Sequence, residues 1–418
     1  MTILHIDANS AYLSWTAVKM LEEGYGTDIR EIPSAIAGDP KNRHGIILAK
    51  SIPAKKQGVR TGESLFEARR KCPGLQVFPH DFPLYMSFSD EMYRIISEYS
   101  PVIQRYSVDE CFMDYTGSER KFGDPVSCAH EIRRRIRDEL GFTVNIGVAE
   151  NRLLAKMASD FEKPDRVHSL YADEIPSKMW PLPVESLFMV GRATARKLRR
   201  ININTIGDLA CADPSLLQRL FKSHGILIRQ YANGIDHTPV VPNGEVPQKG
   251  LGNSTTVDHD VSTAEEAHMI LLALTERVAG RLRRMKKFAN VVSVTVTSSD
   301  FIRYGRQVRL ESSTDVTSEI FSHARRLFDE VWQGEKIRHL GVSLSDLTAQ
   351  CEKNMNFLSE DRMEEMRAAD SAVDQIREKF GRDAIMRGIF VNRNIDHMQG
   401  GLAKSGEGGY IMMGGRKE

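Results

Sequence analysis

Across 418 residues, 41% are hydrophobic and 27% charged, the balance of ordinary globular material long enough for roughly two to four domains. A formal net charge of +1 excludes a chain whose overall field alone would gather nucleic acid, and no apolar run reaches the roughly 20 residues of a membrane span. Five cysteines, scattered and without CxxC spacing, argue against a disulfide framework or zinc site and suit a reducing cytoplasm.

The opening MTILHIDANS has no basic stretch before a long apolar run, so a signal peptide is not expected. A short apolar strand over 3–6 ends on Asp7, and turn signals follow at Gly24, Gly26 and Gly38-Asp39-Pro40. Val102 to Tyr115 alternates apolar and polar residues around Val108-Asp109-Glu110, which predicts a hairpin. A helix with arginines on one face is expected over 127–140 and a strand over 143–148, then a helix over 152–161 capped by Asn151. A strand, an acid-bearing hairpin, a helix and another strand imply an antiparallel-type sheet backed by helices, hence α+β.

From about residue 180 the pattern changes to short helices, and 187–195 reads as helix, glycine turn, helix. Asn233-Gly234 and then Pro239, Pro242, Gly244 and Pro247 mark an extended linker. Beyond it the order is strand 250–258, helix 262–284, strands 290–299 and 303–312, helix 315–333 and strand 337–346. That β-α-β-β-α-β unit is a domain in its own right. The last 20 residues, rich in Gly-Gly pairs, are expected to be disordered. Two basic clusters stand out, Arg192, Arg196, Lys197, Arg199 and Arg200, and Arg281, Arg283, Arg284, Lys286 and Lys287. Each reads equally well as a phosphate contact or a solvated helix face.

Asp7 ends an apolar strand, and Asp109 and Glu110 sit adjacent among apolar residues. Desolvated acids are costly unless paired or bound to a cation, and three such oxygen donors suit Mg²⁺ with substrate phosphates. The residues alone leave structural acids and a nucleotide cyclase open as alternatives.

Four motifs lie in one order: Asp7-Ala8-Asn9-Ser10-Ala11-Tyr12, Tyr106-Ser107-Val108-Asp109-Glu110-Cys111, Asn145-Ile146-Gly147-Val148-Ala149-Glu150-Asn151 and Leu154-Ala155-Lys156-Met157-Ala158-Ser159. Together they closely resemble the Y-family DNA polymerases over residues 1–350. The resemblance implies a low-fidelity, translesion DNA-directed DNA polymerase without proofreading, a cytoplasmic monomer acting on primer-template DNA and deoxynucleoside triphosphates. A non-catalytic DNA-binding relative is the rival reading. The implied layout is a palm with a mixed sheet and helices (1–11 and 81–168), small fingers (12–80) and a helical thumb (169–237). A linker (238–247), a β-α-β-β-α-β little finger (248–348) and a C-terminal helix and tail (349–418) complete it.

The same resemblance makes Asp7, Asp109, Glu110 and the carbonyl of Ala8 ligands of two Mg²⁺ ions, the three acids being catalytic. It gives Asn9, Ser10, Ala11, Tyr12, Ser51, Lys55 and Lys163 to the nucleotide, with Tyr12 as the steric gate against ribose. Ala11 replaces a usual aromatic residue, and Ile52 and Lys55 replace a usual tyrosine and arginine, which implies a looser phosphate grip. DNA contacts fall on Val190, Gly191, Arg192 and Ala193 and on Gly252, Asn253, Ser254, Thr255 and Thr256. Binding to a sliding clamp falls on Phe357 and Leu358, within Asn354-Met355-Asn356-Phe357-Leu358.

Overall fold

The computed structural model describes residues 1–38, 45–245, 247–350, 357–391, 393 and 395–398, without the side chains of 357–361. The chain divides into two compact units, one built from Met1–Gly38 and Ile46–Val246 and the other centred on Pro247–Lys404.

The first unit opens with β1 (Ile3–Ala8) and α1 (Ala11–Glu22), then β2 (Ser34–Ala37), β3 (Ile47–Lys50), α2 (Ile52–Lys56), α3 (Leu65–Lys71) and β4 (Gln76–Pro79). These three later strands make a small sheet of order β3-β2-β4. The chain continues through α4 (Phe82–Ser97), β5 (Ile103–Arg105), β6 (Glu110–Asp114), α5 (Glu119–Phe122), α6 (Pro125–Leu140), β7 (Val144–Ala149), α7 (Arg152–Ser159) and β8 (Val167–Leu170). A five-stranded sheet of order β5-β6-β1-β7-β8 results, antiparallel except where β8 joins β7. The expected hairpin is β5–β6, and the expected cap is present, with Asn151 Oδ1 accepting from Leu154 N at 2.9 Å.

Period-two alternation decides the two faces of this sheet. Leu4, Ile6, Cys111, Met113, Ile146 and Val148 point into a core with α1, α4 and α6. Ile3, Phe112 and Ala149 point into a second core, shared with α7 and with a helical segment made of α8 (Arg192–Arg199), α9 (Ile206–Cys211), α10 (Pro214–Phe221) and α11 (Ser223–Ala232). Helix α7 lies so close to β7 that a methyl group on Gly147 would come 1.9 Å from the Ala155 carbonyl oxygen.

One expectation needs correction. The first helix expected within 187–195 is a single helical turn, Val184–Ser186, after which Leu187 to Val190 run non-helically into Gly191, the cap of α8. Leu187 and Val190 are buried, and that burial is the apolar signal that imitates a helix. The proline-rich linker is partly pinned to the first unit. Val240 is buried, Val241 N donates to Gln104 Oε1 at 3.1 Å, and Asn243 Oδ1 accepts from Arg105 N at 2.9 Å.

The second unit follows the expected order: β9 (Gly250–Val261), α12 (Ala264–Arg284), β10 (Phe288–Ser298), β11 (Arg303–Thr314), α13 (Thr317–Val331) and β12 (Ile337–Thr348). Its sheet, β11-β10-β12-β9, packs one face against the two helices. The other face carries small residues in register. Thr295 lies between Gly305 and Gly341, with Ser254 beyond, and Ser293 lies between Gln307 and Ser343, with Gly252 beyond. Asn354-Met355-Asn356 and the last 20 residues lie outside the described residues.

A final helix, α14 (Phe357–Phe380), is held to α12 by charge. Arg283 pairs with Asp370 at 3.1 Å and Asp374 at 2.6 Å, and the buried Glu276 pairs with Arg377 at 2.7 Å and with Arg387. One member of the second basic cluster therefore serves the fold. Burial opposes ionisation of Glu276, but its two arginines hold its pKa below the usual carboxylate range. Glu276→Ala should destabilise this unit by about 3 kcal/mol, because it leaves a buried guanidinium without its carboxylate. Denaturant unfolding of the whole chain measures this, and an unchanged midpoint would show the pairs to be incidental.

Candidate active site

The site is set by register. Asp7 ends β1 directly opposite Glu110 on β6 and Asn145 on β7, so the three side chains share one face of the sheet. Asp109 precedes β6, and its carbonyl accepts from Ala8 N at 2.9 Å, fastening the main chain of Ala8 beside the carboxylates. Sequence spacing of a hundred residues thus closes onto adjacent strand ends.

Burial pushes the Asp109 carboxyl up to about 6, with the charges of Glu110 and Asp7 adding to the rise and the Ser107 hydroxyl opposing it. Burial raises Asp7 too, against the pull of Lys163. Glu110 goes the other way. Burial would raise it, yet its partners hold it down to about 2. The neighbouring His5 lowers it most, followed by the Lys156 ammonium on α7, 2.8 Å away. The His5 imidazole lies 3.6 Å from Glu110, too far for a hydrogen bond, and burial lowers its pKa toward the neutral form. Among the described residues no three acid, imidazole or thiol groups close into a ready-made cation cage, and Lys163 and Lys156 lie against the carboxylates.

The raised Asp109 carries a sign that can be checked. Its folded pKa of about 6 exceeds the model-compound value of 3.8, so stability present at low pH is lost as pH rises from 3.8 to about 6. Asp109→Asn should therefore stabilise the metal-free fold at pH 7 by about 3 kcal/mol and change little at pH 4. Urea unfolding at both pH values is the measurement, and equal effects at both would overturn it.

Other expected contacts divide. Lys163 binds Asp7 and lies 2.7 Å from Asp160, and these acids raise its pKa well above the usual range despite burial. Its loop is fixed by Asn9, whose Oδ1 accepts from Asp165 N at 2.9 Å, and by Arg133, which donates to the Asp165 carbonyl at 2.6 Å. Ser10 caps α1 in a left-handed backbone conformation, Ala11 is buried, and Tyr12 is half-buried. Burial first and the charge of Asp109 second push the Tyr12 hydroxyl up to about 12. Ser51 is buried and its hydroxyl is engaged by Ile32 O, Ser34 N and Ala54 N, so it organises the small sheet and caps α2. Lys55 is exposed on α2.

Arg192, Arg196, Arg199 and Arg200 line a shallow cleft on α8 with Glu185, and a side chain at Gly191 would meet no neighbour within 4 Å. On β9, Gly252 and Ser254 are exposed while Asn253 and Thr255 point inward, and Thr256 lies within 3.1 Å of His339. Phe357 and Leu358 open α14, and their side chains lie outside the described residues.

The sequence reading missed His5 and Lys156. His5 interrupts an apolar strand two residues before Asp7, hence on the same face, and Lys156 belongs to a motif already noted. His5 Nδ1 donates to Ser159 Oγ at 2.7 Å, because that hydroxyl donates onward to the Lys156 carbonyl at 2.8 Å.

The impB/mucB/samB family matches residues 6–160, and its C-terminal domain matches residues 248–357. The chain is 45% identical to DNA polymerase IV of Clostridium acetobutylicum, over 94% of this chain and 98% of that one. The chain belongs to the impB/mucB/samB family. Another member, DNA polymerase IV of Acetivibrio thermocellus, is 37% identical over 93% of this chain and 97% of its own length. A solved Y-family DNA polymerase chimera shares the fold with a TM-score of 0.71, 18% identity and coverage of 84% of this chain and 100% of its own. The first family match runs from β1 through the small sheet to α7, and the second covers the β-α-β-β-α-β unit. No helix among the described residues is long and apolar enough to cross a membrane.

Proposed function

We propose that Asp7, Asp109 and Glu110, with the main chain of Ala8, hold two Mg²⁺ ions at which this chain, a low-fidelity DNA-directed DNA polymerase of translesion synthesis, extends a primer. The observation that carries the assignment is the Asp7–Glu110 register, which sets two acids side by side with Asp109 adjacent. An all-oxygen donor set, two of whose carboxyls, Asp7 and Asp109, burial makes reluctant to ionise, fits a hard divalent cation. When bound, such ions supply the positive charge that favours an ionised 3′-hydroxyl and balances the departing pyrophosphate.

The protein's own residues do the rest. Lys163 and Lys55 give the triphosphate its cations, Asn9 holds the Lys163 loop, and Tyr12 lies where a 2′-hydroxyl would clash. Backbone groups around Val190, Gly191, Arg192 and Ala193 and the Gly252 to Thr256 strand hold phosphodiester linkages without reading bases. The sheet of the first unit is the palm, residues 12–80 the fingers, 169–237 the thumb and 248–348 the little finger. The protein works without proofreading as a cytoplasmic monomer, docking to a sliding clamp through Phe357 and Leu358. Primer extension with and without Mg²⁺ tests the central claim, and DNA binding without any extension would favour a non-catalytic relative.

Tyr12→Ala should relax selection against ribonucleotides by about a hundredfold in kcat/KM ratio, the scale of a lost steric clash. Single-nucleotide incorporation of matched ribo- and deoxynucleotides gives the ratio, and unchanged selectivity would remove the gate from Tyr12.

A further inference from the structure

We infer that Tyr85, on α4, is a positioning residue for sugar selection: it fixes the ring of Tyr12 so that the ring cannot retreat from a 2′-hydroxyl. The inference rests on the reading of Tyr12 as the gate. A gate works only if it is stiff. A phenol ring free to rotate about its side-chain torsions would swing aside for one extra hydroxyl at little cost.

Tyr12 has no such freedom. Its ring stacks on that of Tyr85 with centroids 4.4 Å apart and planes 7° from parallel. Phe82 meets it edge-on at 6.0 Å and 87°, and Trp15 lies at 6.2 Å. Tyr85 is fully buried, so the surface behind Tyr12 is itself immobile.

The hydrogen bonds close a loop. Thr16 Oγ1 donates to the Tyr12 carbonyl at 2.7 Å, one turn along α1. With its proton committed there, Thr16 Oγ1 accepts from the Tyr85 hydroxyl, 3.2 Å away. Tyr85 therefore grips Tyr12 twice, by ring against ring and, through Thr16, at the main chain of the same residue. Neighbouring Ala11 has no ring to offer. The stacked and edge-on support for Tyr12 comes from Tyr85 and Phe82 of α4, with Trp15 of α1 tilted beside it.

The test compares the ribonucleotide-to-deoxynucleotide ratio of kcat/KM for the full chain and for Tyr12→Ala, Tyr85→Leu, Tyr85→Met and Tyr85→Phe. A ratio taken within one preparation does not depend on how much of it is folded, so a destabilised variant still reports. Tyr85→Leu and Tyr85→Met should relax selectivity about tenfold, the upper end of what an aromatic pair contributes, mainly through a lower KM for the ribonucleotide. Tyr85→Phe, which keeps the stack, should restore selectivity to within about threefold, as expected for one neutral hydrogen bond. Wild-type selectivity in both Tyr85→Leu and Tyr85→Met, beside lost selectivity in Tyr12→Ala, would overturn the inference. Unchanged selectivity in Tyr12→Ala would instead remove the gate itself, a different and recognisable result.

Discussion

Asp109→Ala and Glu110→Ala are each expected to cut primer extension more than a thousandfold, a loss of about 4 kcal/mol or more of transition-state stabilisation. Phosphoryl transfer leaves the protein little covalent work, so the groups that place positive charge at the reacting oxygens carry most of the rate. The two variants differ in their side effects. Removing Glu110 strands the Lys156 ammonium, which now lies 2.8 Å from it, and should also cost stability. Removing Asp109 relieves a carboxyl that burial already disfavours. Lost extension in a protein at least as stable as the parent cannot be blamed on unfolding. With the DNA contacts proposed for Val190 to Ala193 and Gly252 to Thr256 untouched, DNA binding should stay within about threefold of the parent. Substantial extension by either variant at saturating Mg²⁺ would remove these residues from catalysis.

Gly147→Ala is expected to destabilise the first unit by about 4 kcal/mol or more, enough to leave little folded protein. Its methyl group would sit 1.9 Å from the Ala155 carbonyl oxygen and 2.6 Å from Ser159 N. Both neighbours are backbone of α7, so no side-chain rotation relieves the clash, and the helix must move. Any such shift carries Lys156 and Ser159 away from Glu110 and His5. Gly74→Ala is the control, since a methyl there meets nothing within 4 Å. Denaturant midpoints close to the parent for both variants would show that α7 yields easily.

The β-α-β-β-α-β unit was readable in sequence because its strands and helices follow one another in order, and the structure adds the cap of α12, Thr263, with Glu265 and Glu266 in its first turn. The acids were readable because charge on an apolar strand is expensive. Less was visible where partners are distant in sequence. Arg283 looks like its neighbours at the end of α12, and partners far along the chain make it structural: the Asp315 carbonyl, the Thr317 hydroxyl, Asp370 and Asp374. Ser51 sits in a segment resembling a nucleotide contact, yet its hydroxyl belongs to Ile32, Ser34 and Ala54. Buried Leu187 and Val190 imitated a helix because apolar content reports burial more reliably than backbone shape.

The seam between α12 and α14 has a thermal consequence. Oily seams gain little further strength per unit area on warming, whereas the penalty for stripping water from charges falls. The pairing of Glu276 with Arg377 and of Arg283 with Asp370 and Asp374 should therefore hold its share of stability as temperature climbs. It also fixes alignment. A greasy helix can slide by one turn and remain covered, but sliding α14 by a turn would set Asp374 where Asp370 now stands and leave Glu276 without Arg377.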